Sequence, residues 1–129
     1  MKSFMSINDQ LNYKFIFCLE GKCISTNLYW AMSSNSVCVM PKPKYESWFM
    51  EGKLRDGVHY IQVKDDFSDA EEKIEFYSNK NDKCLEIIDN ANKQTRKIHD
   101  AIIVRLILIY LSELKSLFII PLEDYIQSL

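Results

Sequence analysis

The 129 residues are enough for one domain, and 47% hydrophobic content with only three glycines and three prolines excludes a disordered tail. A formal net charge of −2 gives no general attraction for nucleic acid. The cysteines at 18, 23, 38 and 84 form no CxxC pair and the two histidines, His59 and His99, are remote from each other, so no metal site is expected.

In chain order, residues 2–12 are polar, and Ser6 with Asp9 three places on has the form of a capping box for a short helix. Residues 13–19, YKFIFCL, predict a strand apolar enough to be covered on both faces, as in a parallel sheet. Glu20-Gly21 breaks it. Ser25 or Thr26 then caps a helix to about residue 33, with Leu28, Trp30, Ala31 and Met32 as an imperfect buried stripe. Residues 37–40 predict a second strand, ended by Pro41 and Pro43, which lack backbone donors. Residues 45–49 suit a short helix led by Glu46. Residues 58–63 predict a third strand, less deeply buried because His59, Ile61 and Val63 alternate with Tyr60 and Gln62.

Asp66 or Ser68 opens the clearest helix start, with Glu71 completing a capping box on Ser68 and Ile74 and Tyr77 on one face. After a break at 79–82, residues 83–93 predict an amphipathic helix with Leu85, Ile88 and Ala91 inward. Residues 98–120 are the most apolar stretch, interrupted by Arg105, Glu113 and Lys115 and closed by Pro121. This stretch is too short in charge-free length to span a bilayer, and reads as a core or interdomain helix, or else as a membrane-surface or partner-binding one. Alternating strands and helices indicate an α/β fold with a small parallel sheet.

In such a fold ligands gather beyond the carboxyl ends of the strands, here the loops 20–26 and 41–51. Ser25, Thr26 and Asn27 at a helix start can donate to a phosphate or simply cap the helix. Glu46 can accept ribose hydroxyls or serve as a helix-start acid. Tyr45, Trp48 and Phe49 can stack on a ligand or pin the loop. Lys42 and Lys44 can meet a phosphate or stay solvated. Asp65 and Asp66 can bind a sugar or cap the following helix, and His59 reads as structural. Cys18 and Cys38 fall in strands and read as core side chains, whereas Cys23 sits in a polar turn as an exposed thiol. The opening MKSFMSINDQ lacks a signal-peptide pattern, so a reducing cytosol is expected. No nucleophile–base pair is evident.

At these residues the chain resembles the donor-binding half of family 90 glycosyltransferases, the CAP10-like family, in the branch for lipopolysaccharide and capsule modification. The resemblance rests on four ordered blocks: YKFIFCLEG (13–21), TNLYWAMSSNSV (26–37), MPKPKYESWFMEGKL (40–54) and HYIQVKDDFSDAEEKI (59–74). It implies a Rossmann-like three-layer α/β domain, resembling the C-terminal half of a GT-B glycosyltransferase, over residues 1–97. Residues 98–129 would then be an apolar helix and tail packed on it. The implied reaction moves a sugar from a nucleotide-sugar, commonly UDP-linked, to a glycan acceptor in lipopolysaccharide or capsule biosynthesis, with no metal and no other cofactor. By the same resemblance Glu20, Ser25 and Asn27 line the phosphate side of the donor, and Ser34, Tyr45 and Glu46 lie near its sugar or base.

Two departures stand out. Lys22-Cys23 replaces an Asn-Asp pair in a loop where relatives read close to LEGNDVATN, and the stretch after Ile98 matches only loosely. The family's acceptor domain precedes this one and carries the general base, so this chain alone is expected to be inactive. Its expected partners are the nucleotide-sugar and, through that other domain, the acceptor; nucleic acid is not among them. The expected location is the cytoplasm, with peripheral association at the inner membrane as a variant. The alternative is a non-catalytic interaction module or inactive fragment that retains the fold.

Overall fold

The computed structural model describes residues 5–23 and 25–117. Two compact units divide the chain, Met1–Arg96 and Lys97–Leu129. The first holds a parallel sheet of three strands in the order β1 (Phe15–Phe17), β2 (Val37–Met40), β3 (Ile61–Gln62). Around it lie α1 (Ile7–Gln10), α2 (Leu28–Met32), α3 (Ala70–Ser78) and the first part of α4 (Asn81–Leu117).

Register decides which side chains share a face. Phe15 pairs with Val37, Ile16 with Cys38, and Val39 with Ile61. Val37, Val39, Ile61 and Val63 therefore form one buried surface, packed with Ala70 of α3 and Cys84 and Ile87 of α4, and edged by Ile74 and Tyr77. The opposite face carries Cys38 and Met40, both buried, and α2 packs there with Leu28, Ala31 and Met32 buried. The result is the three-layer α/β domain with a small parallel sheet that alternating strands and helices implied. All four residues of β2 are buried, as a strand between two layers requires.

Several elements depart from the sequence pattern. β1 is an edge strand with one open side: Phe17 is 40% exposed and Leu19 55%. Its apolar run is thus not covered on both faces. Neither Ser25 nor Thr26 caps α2; the cap position is Asn27, in helical geometry and without a side-chain cap bond. Ser25 Oγ instead donates to Asn27 Oδ1, which draws both side chains away from the helix amides. Residues 45–49 form no helix, because the Glu51 carboxylate accepts from both the amide and the hydroxyl of Ser47 and Met50 turns left-handed at φ 55°. A 3-10 turn, Glu51–Lys53, follows instead.

Of the expected strand 58–63 only Ile61–Gln62 pairs as β3, and Tyr60 just before it is more deeply buried than the alternation suggested, at 1% exposed. The Tyr60 hydroxyl donates to Gln62 Oε1 at 3.1 Å. α3 starts at Ala70 with Asp69 at the cap position, so no Ser68 capping box forms. Asp66 instead accepts the Ser68 amide, and Asp69 accepts the Lys64 amide at 2.8 Å. Towards the amino end Ser6 caps α1 as expected, with the Asp9 amide donating to Ser6 Oγ, but the return bond of a capping box is replaced by Ser6 Oγ donating to Asp9 Oδ2 at 2.7 Å.

The two expected C-terminal helices are one. α4 runs 37 residues with neither glycine nor proline, so nothing local ends it after residue 93. Its inward stripe is Cys84, Ile87, Ala91 and Thr95, whereas Leu85 is 64% exposed. Asn92 Nδ2 donates to the Ser34 carbonyl at 3.1 Å, fastening α4 to the turn after α2. In the second unit, Val104, Leu106, Leu108 and Tyr110 are exposed. Among the described residues no helix is long and apolar enough to cross a membrane. The expected end of the apolar stretch at Pro121 lies outside the described residues.

Two outcomes follow from this packing. Ile87→Ala should cost about 2–5 kcal/mol in urea unfolding, and Leu85→Ala less than about 0.5 kcal/mol; the reverse order would mean α4 is rotated about its axis. Burial, with the Asp56 charge behind it, pushes the Tyr60 phenol up to about 12. An unfolded tyrosine ionises near ~10, so below that both states keep the proton. As pH rises beyond it the unfolded chain releases the proton and the folded chain does not, and stability falls. Tyr60→Phe should flatten that alkaline decline in chemical denaturation run at stepped pH, leaving the smaller part due to Tyr77, which burial also raises.

Candidate functional site

In a parallel sheet every strand releases the chain at the same edge, and the loops after β1, β2 and β3 meet there. The β1 loop leaves after Cys18, whose amide still donates to the Val39 carbonyl at 3.0 Å. The β2 loop begins at Pro41, and Pro43 follows; neither can continue a ladder. The β3 loop leaves after Val63, whose amide donates to the Met40 carbonyl at 3.1 Å.

Lys44 joins the three loops. Its backbone amide donates to Glu20 Oε2 at 3.1 Å, tying the β2 loop to the β1 loop. Its ammonium lies 3.0 Å from Asp65 Oδ2, tying it to the β3 loop. Asp65, first by hydrogen bond and then by charge, holds the Lys44 ammonium above its ordinary pKa. Both side chains are more than half exposed, so water screens the pair and it adds little to stability. Lys44 can therefore exchange Asp65 for another anion at little cost.

Beneath these contacts lies a hollow of ≈ 220 Å³ lined by Cys18, Glu20, Gly21, Met40, Pro41, Lys44, Tyr45, Asp65 and Phe67. Its floor is apolar, its rim carries two carboxylates and one ammonium, and its wall carries two aromatic rings. Phe67 stands at φ 60°, left-handed backbone, and its ring meets Phe17 edge-on at 6.2 Å. The Asp66 carboxylate supports that turn by accepting the Ser68 amide, and this bond holds it below the usual carboxylate range. The hollow is smaller than the roughly 300–1,000 Å³ of sites for drug-sized ligands. It fits one sugar ring or a phosphate, not a whole nucleotide-sugar.

Of the six residues expected to line a donor site, the structure brings Glu20 and Tyr45 together in this hollow. Asn27 faces a different one, beside Phe17, Leu19 and Trp30, and its Nδ2 donates to the Phe17 carbonyl at 2.9 Å. Ser25 is buried and lines a third hollow, beside Tyr29, Ser47 and Trp48. Glu46 is exposed and lies over Gly52, with Oε1 3.3 Å from where a Cβ on that glycine would stand. Ser34 lies before β2, at the amino edge of the sheet, and donates to the Ala31 carbonyl. Glu20, Asn27 and Glu46 do not converge on one hollow.

Asp65 and Lys44 were legible as candidates, and Asp66 turns out to brace the backbone. Cys18, Met40 and Phe67 fall within the blocks that carry the resemblance but were not singled out as site residues, and their positions just inside or beyond strand ends are the signal that could have pointed to them. Cys38 is no nucleophile: a hydrogen bond with Cys18 and burial raise its thiol well above the ordinary value. Cys23 is exposed and His59 Nδ1 accepts the Arg55 amide at 3.1 Å. Among the described residues no three His, Cys, Asp or Glu side chains converge as a metal-holding group.

Comparison with known proteins bears on this edge of the sheet. The chain is 50% identical over 92 residues to "O-glucosyltransferase LpsA" of Dichelobacter nodosus, an alignment covering 71% of this chain and 29% of that protein. It is 32% identical over 92 residues to "Uncharacterized protein 179R" of Invertebrate iridescent virus 6, covering 66% of this chain and 8% of that one. The chain thus spans under a third of the length of either relative. No solved structure matches it. The model of glycosyl transferase family 90 matches residues 2–114, nearly the whole chain, and the protein belongs to that family.

Proposed function

We propose that the hollow at the carboxyl edge of the sheet holds the sugar of a nucleotide-sugar, commonly UDP-linked, with the adjoining phosphate outside it beside Lys44. In this reading the chain is the donor-binding part of an enzyme that transfers the sugar to a glycan acceptor in lipopolysaccharide or capsule biosynthesis. The observation that carries it is the arrangement around Lys44. Two carboxylates, Glu20 and Asp65, offer acceptors to sugar hydroxyls, and the Lys44 ammonium paired with Asp65 is cheaply released to a phosphate oxygen.

The electrostatics favour this division of labour over a phosphate cradle. A bare diphosphate would meet two carboxylates and one cation, a net repulsion, whereas a hydroxylated ring meets acceptors it can satisfy. Ser25 and Asn27, carried over from the family as phosphate-side residues, spend their hydrogen bonds on each other and on the Phe17 carbonyl. Their contribution is to fix the β1 loop against α2. The finding that the chain spans 29% of its bacterial relative supports assigning the acceptor side and general base to the remainder of that length. The name of the bacterial relative, O-glucosyltransferase, favours a hexose as the transferred group.

Isothermal titration of UDP and UDP-hexoses into the chain should give weak, saturable binding of the sugar nucleotide. Lys44→Ala should weaken it roughly tenfold, the worth of one charge-assisted contact to phosphate. Equal affinity in the variant, or no heat with any UDP-sugar, would overturn the assignment. Transfer by these 129 residues alone should stay at background when UDP release is followed with glycan acceptors present. Positioning of donor, acceptor and base together is worth about 7–11 kcal/mol of barrier, and sustained turnover would place the base within this chain.

A further inference from the structure

The third hollow, ≈ 250 Å³, has chemistry that the donor reading leaves unused. It opens between the start of α2 and the turn after the β2 loop. Three aromatic rings form its wall: Tyr29 and Trp48 with centroids 5.2 Å apart, Tyr29 and Phe49 at 5.8 Å, and Trp48 and Phe49 at 5.7 Å. Phe49 is buried, but Trp48 is 54% exposed and Tyr29 37%. Opposite the rings stand the exposed Thr26 and the carboxylate of Glu51, which is 3% exposed.

The turn that presents Trp48 is held from several sides. Ser47 donates twice to Glu51, from its amide at 2.7 Å and its hydroxyl at 2.6 Å. The Phe49 amide donates to Ser47 Oγ at 3.1 Å, and the Met50 amide to the Ser47 carbonyl at 3.0 Å. A large aromatic held exposed on a fixed turn is a prepared contact surface, because little side-chain or loop entropy remains to be lost when a ligand arrives. Glu51 uses two of its roughly four acceptor positions on Ser47.

We propose that this hollow is a binding site for a neutral pyranose ring. The rings meet at 58°, 89° and 75°, so they make an angled cup rather than a slot of parallel faces. A flat nucleobase prefers a parallel face on each side, whereas a puckered sugar presents C–H groups to ring faces and hydroxyls to an acid and a hydroxyl at the rim. The volume suits a single ring, below the roughly 300 Å³ at which drug-sized sites begin. Together with the donor reading, on which this last step rests, the ring would be a residue of the glycan away from its reacting end, which meets the acceptor side assigned to the remainder of the enzyme. The pyranose site itself stands independently of that reading.

Trp48 reports on the site. Trp30, the other tryptophan, lines a different hollow, so Trp30→Phe leaves Trp48 as the sole indole fluorophore. In that background methyl glucopyranoside or methyl galactopyranoside should change the emission saturably, and uridine should not. Tyr29→Ala should weaken the response roughly tenfold and Tyr29→Phe should preserve it, with far-UV circular dichroism verifying the fold of each. Lys44→Ala should leave the sugar response intact, so a failed donor site and a failed pyranose site give different results. A response to uridine alone, no saturable response to either glycoside, or an unchanged response in folded Tyr29→Ala would overturn the proposal.

Discussion

A strand covered on both faces fixes this molecule. β2 has no exposed residue, so every group it carries must pack or pair, and its neighbours on each side run parallel to it. Parallel neighbours oblige the chain to return over a face between strands, which is why helices occupy both sides. The same constraint sends all three strand-end loops to one edge. The clustering of Glu20, Lys44 and Asp65 is therefore a consequence of topology before it is a matter of chemistry.

What the loops do at that edge is decided by small energies. The Lys44–Asp65 pair is too exposed to stabilise the fold appreciably, but it holds the ammonium beside the β3 loop at the hollow. The Glu20 carboxylate is used differently, since it accepts a backbone amide and so sets the path of the β2 loop. One residue thus carries both contacts, amide to one loop and ammonium to another. The amide contact survives any substitution other than proline, while the ammonium contact does not. Position and charge are thereby separable at a single site.

Strands and their order could be read from the sequence because short β-branched and aromatic runs between breakers carry that signal locally. Residues 37–40 were placed without error, and Ser6 caps the first helix as read. The failures share a cause. Ser25, Ser68 and Glu46 each have the right type for a helix start, but their side-chain or neighbouring backbone groups find partners off the helix. Leu85 was chosen by spacing alone, and a period of 3.6 does not say which of two adjacent stripes faces the sheet. The hollow was half legible: Glu20 and Tyr45 lie in it, whereas Asn27, Ser25, Glu46 and Ser34 are dispersed because helix starts and strand starts open onto different surfaces.

Two non-glycine residues, Met50 and Phe67, stand in left-handed backbone, a conformation costing each about 1 kcal/mol or more. Both sit beside an acid that grips a nearby amide: Glu51 holds Ser47 around Met50, and Asp66 holds Ser68 around Phe67. Both turns also deliver aromatic rings to a hollow, Trp48 and Phe49 to one and Phe67 to the other. Glycine at either position would relieve the strain, but at Phe67 it would delete a wall of the hollow, and at both it would enlarge the unfolded ensemble. The carboxylates offset the strain and leave the rings where a ligand can meet them. Asp66, which its place in the sequence suggests as a sugar ligand or helix cap, and Glu51 thus serve as backbone clamps, with the chemistry passed to the side chains they position.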